Sequence, residues 1–376
     1  MKPSFIKYST FILISFLLLS CAEAEKPTWK KTVQAKGEQP ALIPLPQSVE
    51  WGVEAYLIAE ENTICYSEGG KTAARWLQEL LVDSNIKATL KKGDSCGNMN
   101  LILNKSLKEQ LGEEGYILDI DKTGISIKGA TNAGLFYGVQ TLRQFFPAGI
   151  EQEDFSGEGI SLRQVHIEDQ PHFSWRGNMI DVARSFFGME YLKNHIDRMA
   201  AYKLNRLHLH LTDDQGWRIE IKSKPNLTEI GSKSSVVDGR SGFLTQEEYI
   251  ELQEYAAARN IVIIPEIDMP GHIYAALRSY PELNCEGNSN IAPGNVDYPE
   301  PYRKYRVGWS QFCLEKPEVV YDFVDSVIGE LAAITKGPWI HIGGDEIETE
   351  LYEEFVAKAD SIARSYGKTS IGWQEV

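Results

Sequence analysis

This chain has little with which to hold a polyanion, a structural metal or a bilayer. Its 376 residues include 53 Asp and Glu against 38 Lys and Arg, a formal net charge of -15 at pH 7. No basic run interrupts that balance, so nucleic acid is excluded as a partner on charge grounds. Histidines number seven and cysteines five, with no Cys-x-x-Cys pair and no zinc-type spacing among them. No metal and no other cofactor is therefore expected. The apolar run Phe11 to Leu19 is short for a membrane span.

That run reads instead as the core of an export signal. Lys2 and Lys7 precede it, and Leu18-Leu19-Ser20-Cys21 after it resembles a bacterial lipobox. Residues 1–21 are read as a lipoprotein-type signal peptide, with Cys21 acylated as the first mature residue. An ordinary cleaved signal with an incidental Cys21 is the alternative. The expected location is exported, periplasmic or on the outer membrane or cell surface, with membrane contact through Cys21. Residues 22–39 are polar and aperiodic, a tether. An oxidising compartment allows the other cysteines to pair. Cys65 with Cys96 and Cys285 with Cys313 is the favoured connectivity of three, and free thiols are the alternative.

With 43% hydrophobic and 24% charged residues the rest is globular, and too long for one ordinary domain. Residues 40–168 mix strand and helix patterns. Glu114–Asp121 and Gly124–Gly129 alternate around a tight turn, helical spacing follows from Leu135 to Phe146, and another helix is expected around 72–82. This is a small α+β domain without a catalytic constellation. From Asp169 a strand-then-helix rhythm begins. Strands are expected at 178–182, 205–211, 261–266, 339–342 and 369–373. Helices lie between them, one opened by the capping box Thr245-x-x-Glu248 and one by Pro317 at its first turn.

Repeated βα units indicate an α/β fold, a (β/α)8 TIM-type barrel occupying residues 169–376. Acidic and polar residues fall at the strand C-termini, in 181–184, 212–214, 268–272 and 343–346. That is the face on which barrel enzymes carry their chemistry. The most pointed cluster is His341-Ile342-Gly343-Gly344-Asp345-Glu346, where two glycines permit a sharp turn and two carboxylates follow. Alone, such a pair reads as a solvated helix cap.

In this company the hexapeptide is similar to the His-x-Gly-Gly-Asp-Glu signature of glycoside hydrolase family 20, the β-N-acetylhexosaminidases. Further segments resemble that family in order. They are Trp175-Arg176-Gly177 with Asp181-Val182-Ala183-Arg184, the stretch from Leu207 to Arg218, Pro265 to His272, and Gly372-Trp373-Gln374-Glu375. The α+β domain resembles its accessory domain.

The resemblance implies an exo-acting hydrolase of terminal β-linked GlcNAc or GalNAc, with retention through an oxazolinium formed by the substrate's own acetamido group. N-acetylhexosamine-containing glycans are then the partners. Glu346 is implied as general acid and base, helped by partial burial, and Asp345 as the group that orients the acetamide. Arg184 would anchor sugar hydroxyls, or form only a structural ion pair. Asp213, Asp268 and His272 would support the pair, with His341 beneath it. Trp373 would wall the acetamide pocket, or be generic core. His208 and His210 could suggest a metal-dependent hydrolase, but both are read as lying inside their strand. The chain stops at Val376 with about five of the eight βα units of a barrel. A C-terminal truncation or an interrupted reading frame is therefore expected, with an inactive glycan-binding remnant as the alternative function.

Overall fold

The computed structural model describes residues 39–374 and 376, except 151, 153–154, 156–158, 287–299, 306–307 and 309. The signal peptide with Cys21, most of the tether, and Glu375 lie outside the described residues.

Alternation of apolar and polar residues builds the first unit around one twisted sheet. Its elements are β1 (Ser48–Leu57), β2 (Glu61–Tyr66), α1 (Lys71–Asp83), β3 (Lys87–Lys92), β4 (Met99–Leu103), α2 (Lys108–Leu111), β5 (Tyr116–Asp121), β6 (Gly124–Gly129), α3 (Asn132–Arg143) and β7 (Ser161–Asp169). The strand order is β1-β7-β5-β6-β4-β2-β3. It is antiparallel through β1, β7, β5 and β6, and parallel from there to β3. Helix α1 buries Ala73, Ala74, Leu77 and Leu81, whose three- and four-residue spacing forms one face. Helix α3 sits close enough that a Cβ on Gly138 would lie 2.4 Å from Ile127 Cγ2. The 116–129 hairpin and both longer helices match the sequence reading; β1–β4 and β7 were not foreseen.

The second unit alternates strand and helix. Its elements are β8 (Gly177–Asp181), α4 (Met189–Ala201), β9 (Arg206–His210), β10 (Thr212–Asp213), β11 (Gly216–Trp217), α5 (Asn226–Glu229), α6 (Gln246–Ala257), β12 (Val262–Glu266), α7 (Tyr274–Ser279), α8 (Pro317–Ile334), β13 (Trp339–His341), α9 (Tyr352–Ser365) and β14 (Thr369–Ile371). Strands β8, β9, β12, β13 and β14 form a parallel sheet in chain order, with helices α4, α6, α8 and α9 as the crossovers. This is the winding of a (β/α)8 barrel, of which five strands are present among the described residues. The Thr245–Glu248 capping box forms as expected, and Pro317 opens α8. Helix α8 buries Val320, Phe323, Val324, Val327, Ile328 and Leu331 on its inner stripe.

A buried polar knot joins the two units. Lys203 Nζ donates to Asp169 Oδ2 at 3.0 Å, and the Tyr116 hydroxyl donates to the same oxygen at 2.8 Å. Arg176 pairs with Glu114 at 2.8 Å beside it. Both expected disulfides are present, Cys65–Cys96 and Cys285–Cys313. Among the described residues no helix is long and apolar enough to cross a membrane.

Candidate functional site

Strand register sets the site. Asp181, His210, Glu266, His341 and Ile371 are successive Cα partners across the parallel sheet, so one row of side chains crosses its C-terminal end. Neighbours in such a row share a face. Glu266 lies at its middle with no exposed surface. Its Oε2 accepts from His208 Nε2 and His210 Nδ1, each at 2.7 Å, and its Oε1 accepts from the Trp373 indole at 2.9 Å. His341 Nδ1, which accepts the Gly343 amide at 3.1 Å, is 3.3 Å from Oε1. Burial alone would raise this carboxyl, but the histidines, His210 foremost, hold it well below the usual range.

His210 continues the chain. Burial pushes its pKa down, yet Glu266 and Asp213 outweigh that and raise it well above the ordinary histidine value. As an imidazolium it donates from Nδ1 to Glu266 and from Nε2 to Asp213 Oδ2, the latter at 2.9 Å. Asp213 also takes Arg184 Nη2 at 2.6 Å, while Arg184 Nη1 reaches Asp181 Oδ2 at 3.1 Å. Arg184 Nη1 is 3.1 Å from His210 Nε2 as well, a contact between two donors that the adjoining carboxylates neutralise. Arg184 is thus aimed by two acids and remains 35% exposed at its side chain.

The Gly-Gly-Asp-Glu turn closes over Asp268. Gly343 has φ +71°, and a Cβ there would stand 1.8 Å from Asp268 Oδ1. Only glycine fits that approach. The Gly344 amide donates to the same oxygen at 3.3 Å. Beyond it, Asp345 keeps Oδ1 buried with no hydrogen-bond partner, and Glu346 takes the left-handed conformation at φ 58°. His272 is left-handed too, at φ 54°. Two non-glycine residues held there store strain of order 1–3 kcal/mol each, a feature that gathers at functional sites. His272 Nε2 is 3.6 Å from Glu346 Oε2, and Nδ1 is 3.8 Å from Asp214 Oδ2, ion-pair contacts rather than hydrogen bonds. Burial would lower His272, but Asp214 first and then Asp268 and Asp213 hold it at about 10. Asp268 itself is pushed well up, by burial and then by the charge on Glu266.

All eight residues singled out in the sequence lie in this one region. Glu346 is covered only in part, with 43% of its side chain exposed. His210 is the last residue of β9 rather than a mid-strand position, which places it in the row. Trp373 is half-buried against His341 and His208, with ring centroids 4.9 and 5.5 Å away, and lines a cavity of about 390 Å³. A larger cavity, about 770 Å³, lies at the junction of the two units, and none of the site acids lines either cavity.

Sequence reasoning gave no supporting role to three members of this network. Asp214 accepts from the Tyr274 amide at 3.1 Å and from the Ser310 hydroxyl, and reaches His272. Glu266 and His210 complete the group. Strand parity was the available signal for the last two, because every residue of the row ends its strand. Several acid–histidine sets, including His210/Glu266/Asp268 and Asp268/His272/Asp345, have donor atoms within 4.8 Å of one another, close enough to share a cation.

Two family models match the chain, Glycosyl hydrolase family 20, catalytic domain, over residues 173–365, and Glycosyl hydrolase family 20, domain 2, over 39–170. The beta-hexosaminidase of Porphyromonas gingivalis is 35% identical over 393 residues, covering 96% of this chain and 48% of that protein. The beta-N-acetylhexosaminidase of Cellulomonas fimi is 38% identical, covering 74% and 54%. The chain therefore spans about half the length of these curated relatives. Among solved structures, Streptomyces plicatus N-acetyl-beta-hexosaminidase in complex with Thio-NAglucal superposes with a TM-score of 0.82 at 40% identity, covering 90% of this chain and 67% of that one.

Proposed function

The chain belongs to glycosyl hydrolase family 20, and on that premise we propose that it removes terminal β-linked N-acetylhexosamine from glycans by a retaining, substrate-assisted mechanism. The relatives named above carry hexosaminidase names. The observation that carries the reading is the disposition of the adjacent acids. Asp345 offers a buried, unpartnered oxygen, and Glu346 stands exposed beside the cationic His272.

Two carboxylates on neighbouring residues cannot flank a sugar from opposite faces, as a nucleophile and acid pair must. They suffice if the substrate brings the nucleophile. The acetamido oxygen attacks the anomeric carbon as the glycosidic C–O bond breaks, and Glu346 gives its proton to the departing oxygen. Water then adds to the oxazolinium and Glu346 takes a proton back, which retains the configuration. Asp345 Oδ1 accepts the acetamide N–H and balances the positive charge that develops. Arg184, aimed by Asp181 and Asp213, anchors hydroxyls through its planar fork. Asp268 and His272 hold the turn and Glu346, and His341 holds Gly343 through its amide. Trp373 forms one wall of the acetamide pocket.

In this proposal residues 40–168 are an accessory domain and 169–376 the catalytic one. Export with a lipid anchor at Cys21 is part of the same reading, supported by the lipobox-like segment and by two disulfides, which persist in oxidising compartments. A chromogenic N-acetyl-β-glucosaminide is the test. Release of the chromophore by folded protein is expected, and no release sinks the claim of activity for this chain.

A further inference from the structure

Resting on that reading, we infer that Glu266 is a positioning residue for acetamide recognition, holding the Trp373 ring at the pocket wall through its indole hydrogen bond. Glu266 touches no reacting atom in the proposed chemistry, and an apolar side chain would fill the space at lower desolvation cost. What the carboxylate does is join elements that are otherwise separate. Donors from β9 and from the segment after β14 converge on it, with a ring of β13 alongside. Trp373 follows β14, and its carbonyl accepts the Val376 amide at 3.0 Å. Its backbone amide bonds to Gly343 at 3.0 Å, its ring lies against His341 and His208, and its indole is bound to Glu266. An indole can pivot about its two side-chain bonds. The Oε1 contact, 107 residues away in sequence, fixes its orientation. Because Oε2 is already taken by two histidines, the carboxylate cannot turn to follow a displaced ring. Glu266 would therefore act on substrate through Trp373 while touching no substrate itself.

A double-mutant cycle tests this with N-acetylglucosamine as the probe. The indole N–H resonance that disappears in Trp373→Phe identifies Trp373 without any ligand. In Glu266→Gln, and in the charge-conserving Glu266→Asp whose shorter arm leaves the indole, that same resonance is expected to move. Affinity for N-acetylglucosamine should fall about tenfold in each. When Trp373 is already Phe, replacing Glu266 should change affinity by much less than about tenfold, what remains passing through His210 and Asp213 to Arg184. A purely structural role would lower the unfolding temperature yet leave the resonance in place, or give additive losses in the cycle; either result overturns the inference. If Glu266→Gln does not fold, Glu266→Asp decides alone. Binding by the wild type with additive losses removes this inference only, whereas no binding by the wild type removes the functional reading together with it.

Discussion

The two sheets of this protein bury different kinds of side chain. Inside the first, Ile64, Leu101, Leu118, Ile127 and Phe136 are without exposed surface, and Asp169 with Lys203 appears only where the units meet. Inside the second, Asp213, Asp214, Glu266, Asp268, His210 and His272 are buried together at one end of the strands. Desolvating a charge costs several kcal/mol unless partners recover it, so a sheet that only has to fold avoids it. The comparison separates what holds the molecule together from what it is arranged to do. Left-handed non-glycine residues occur in both units, Asn85 in the first and Lys203, Asp238 and Asn260 among those of the second, but only His272 and Glu346 bring that conformation to the site.

The largest expected effect lies at the exposed member of the site. Glu346→Gln should lower kcat by a factor of about 10²–10⁴, since it removes the proton donor and acceptor. With 43% of that side chain exposed, the unfolding midpoint should scarcely move. Asp345→Asn should cost about 10²–10³ in kcat, the range for losing one charge-stabilising group. Loss of folding rather than of rate in either variant would erase the contrast between the sheets. Leu118→Ala in the first sheet should do the opposite, costing about 2–5 kcal/mol of stability by denaturant titration with KM unchanged.

A smaller effect follows from His272. Its folded pKa, about 10, is raised above the ordinary 6.5 or so of an unfolded chain. The stability it contributes is therefore fully present below about pH 6.5 and lost as pH rises through about 10. Unfolding temperatures measured from pH 6 to 10.5 should fall across that window, and His272→Asn should flatten the slope. The smallest expected effect is that of a chelator. The histidines in these clusters are engaged with carboxylates, so EDTA should leave activity unchanged, and a loss restored by a divalent cation would make the acid–histidine sets a metal site.

Much of this was legible in the sequence where the signal is local. The βα rhythm, the capping box at Thr245 and the Gly-Gly-Asp-Glu turn all lie within short windows. The hairpin at 116–129 is visible for the same reason. Strands β1 and β7 were not, because they are paired across more than a hundred residues, and the exposed positions of β1 blur its alternation. Asp214 was passed over for Asp213 because adjacent residues point to opposite sides, and nothing nearby says that Ser310, 96 residues on, meets the second acid. Glu266 was hidden by register. Its partners come from three other segments, and only the pairing of Glu266 with both His210 and His341 brings them together.

The central claim is that the substrate's acetamido group is the nucleophile, which is why two adjacent carboxylates are enough. The most direct measurement compares turnover of a chromogenic N-acetyl-β-glucosaminide with that of the matching β-glucoside, which carries hydroxyl in place of acetamide. The account predicts release from the first and essentially none from the second. Equal turnover of the two would contradict it.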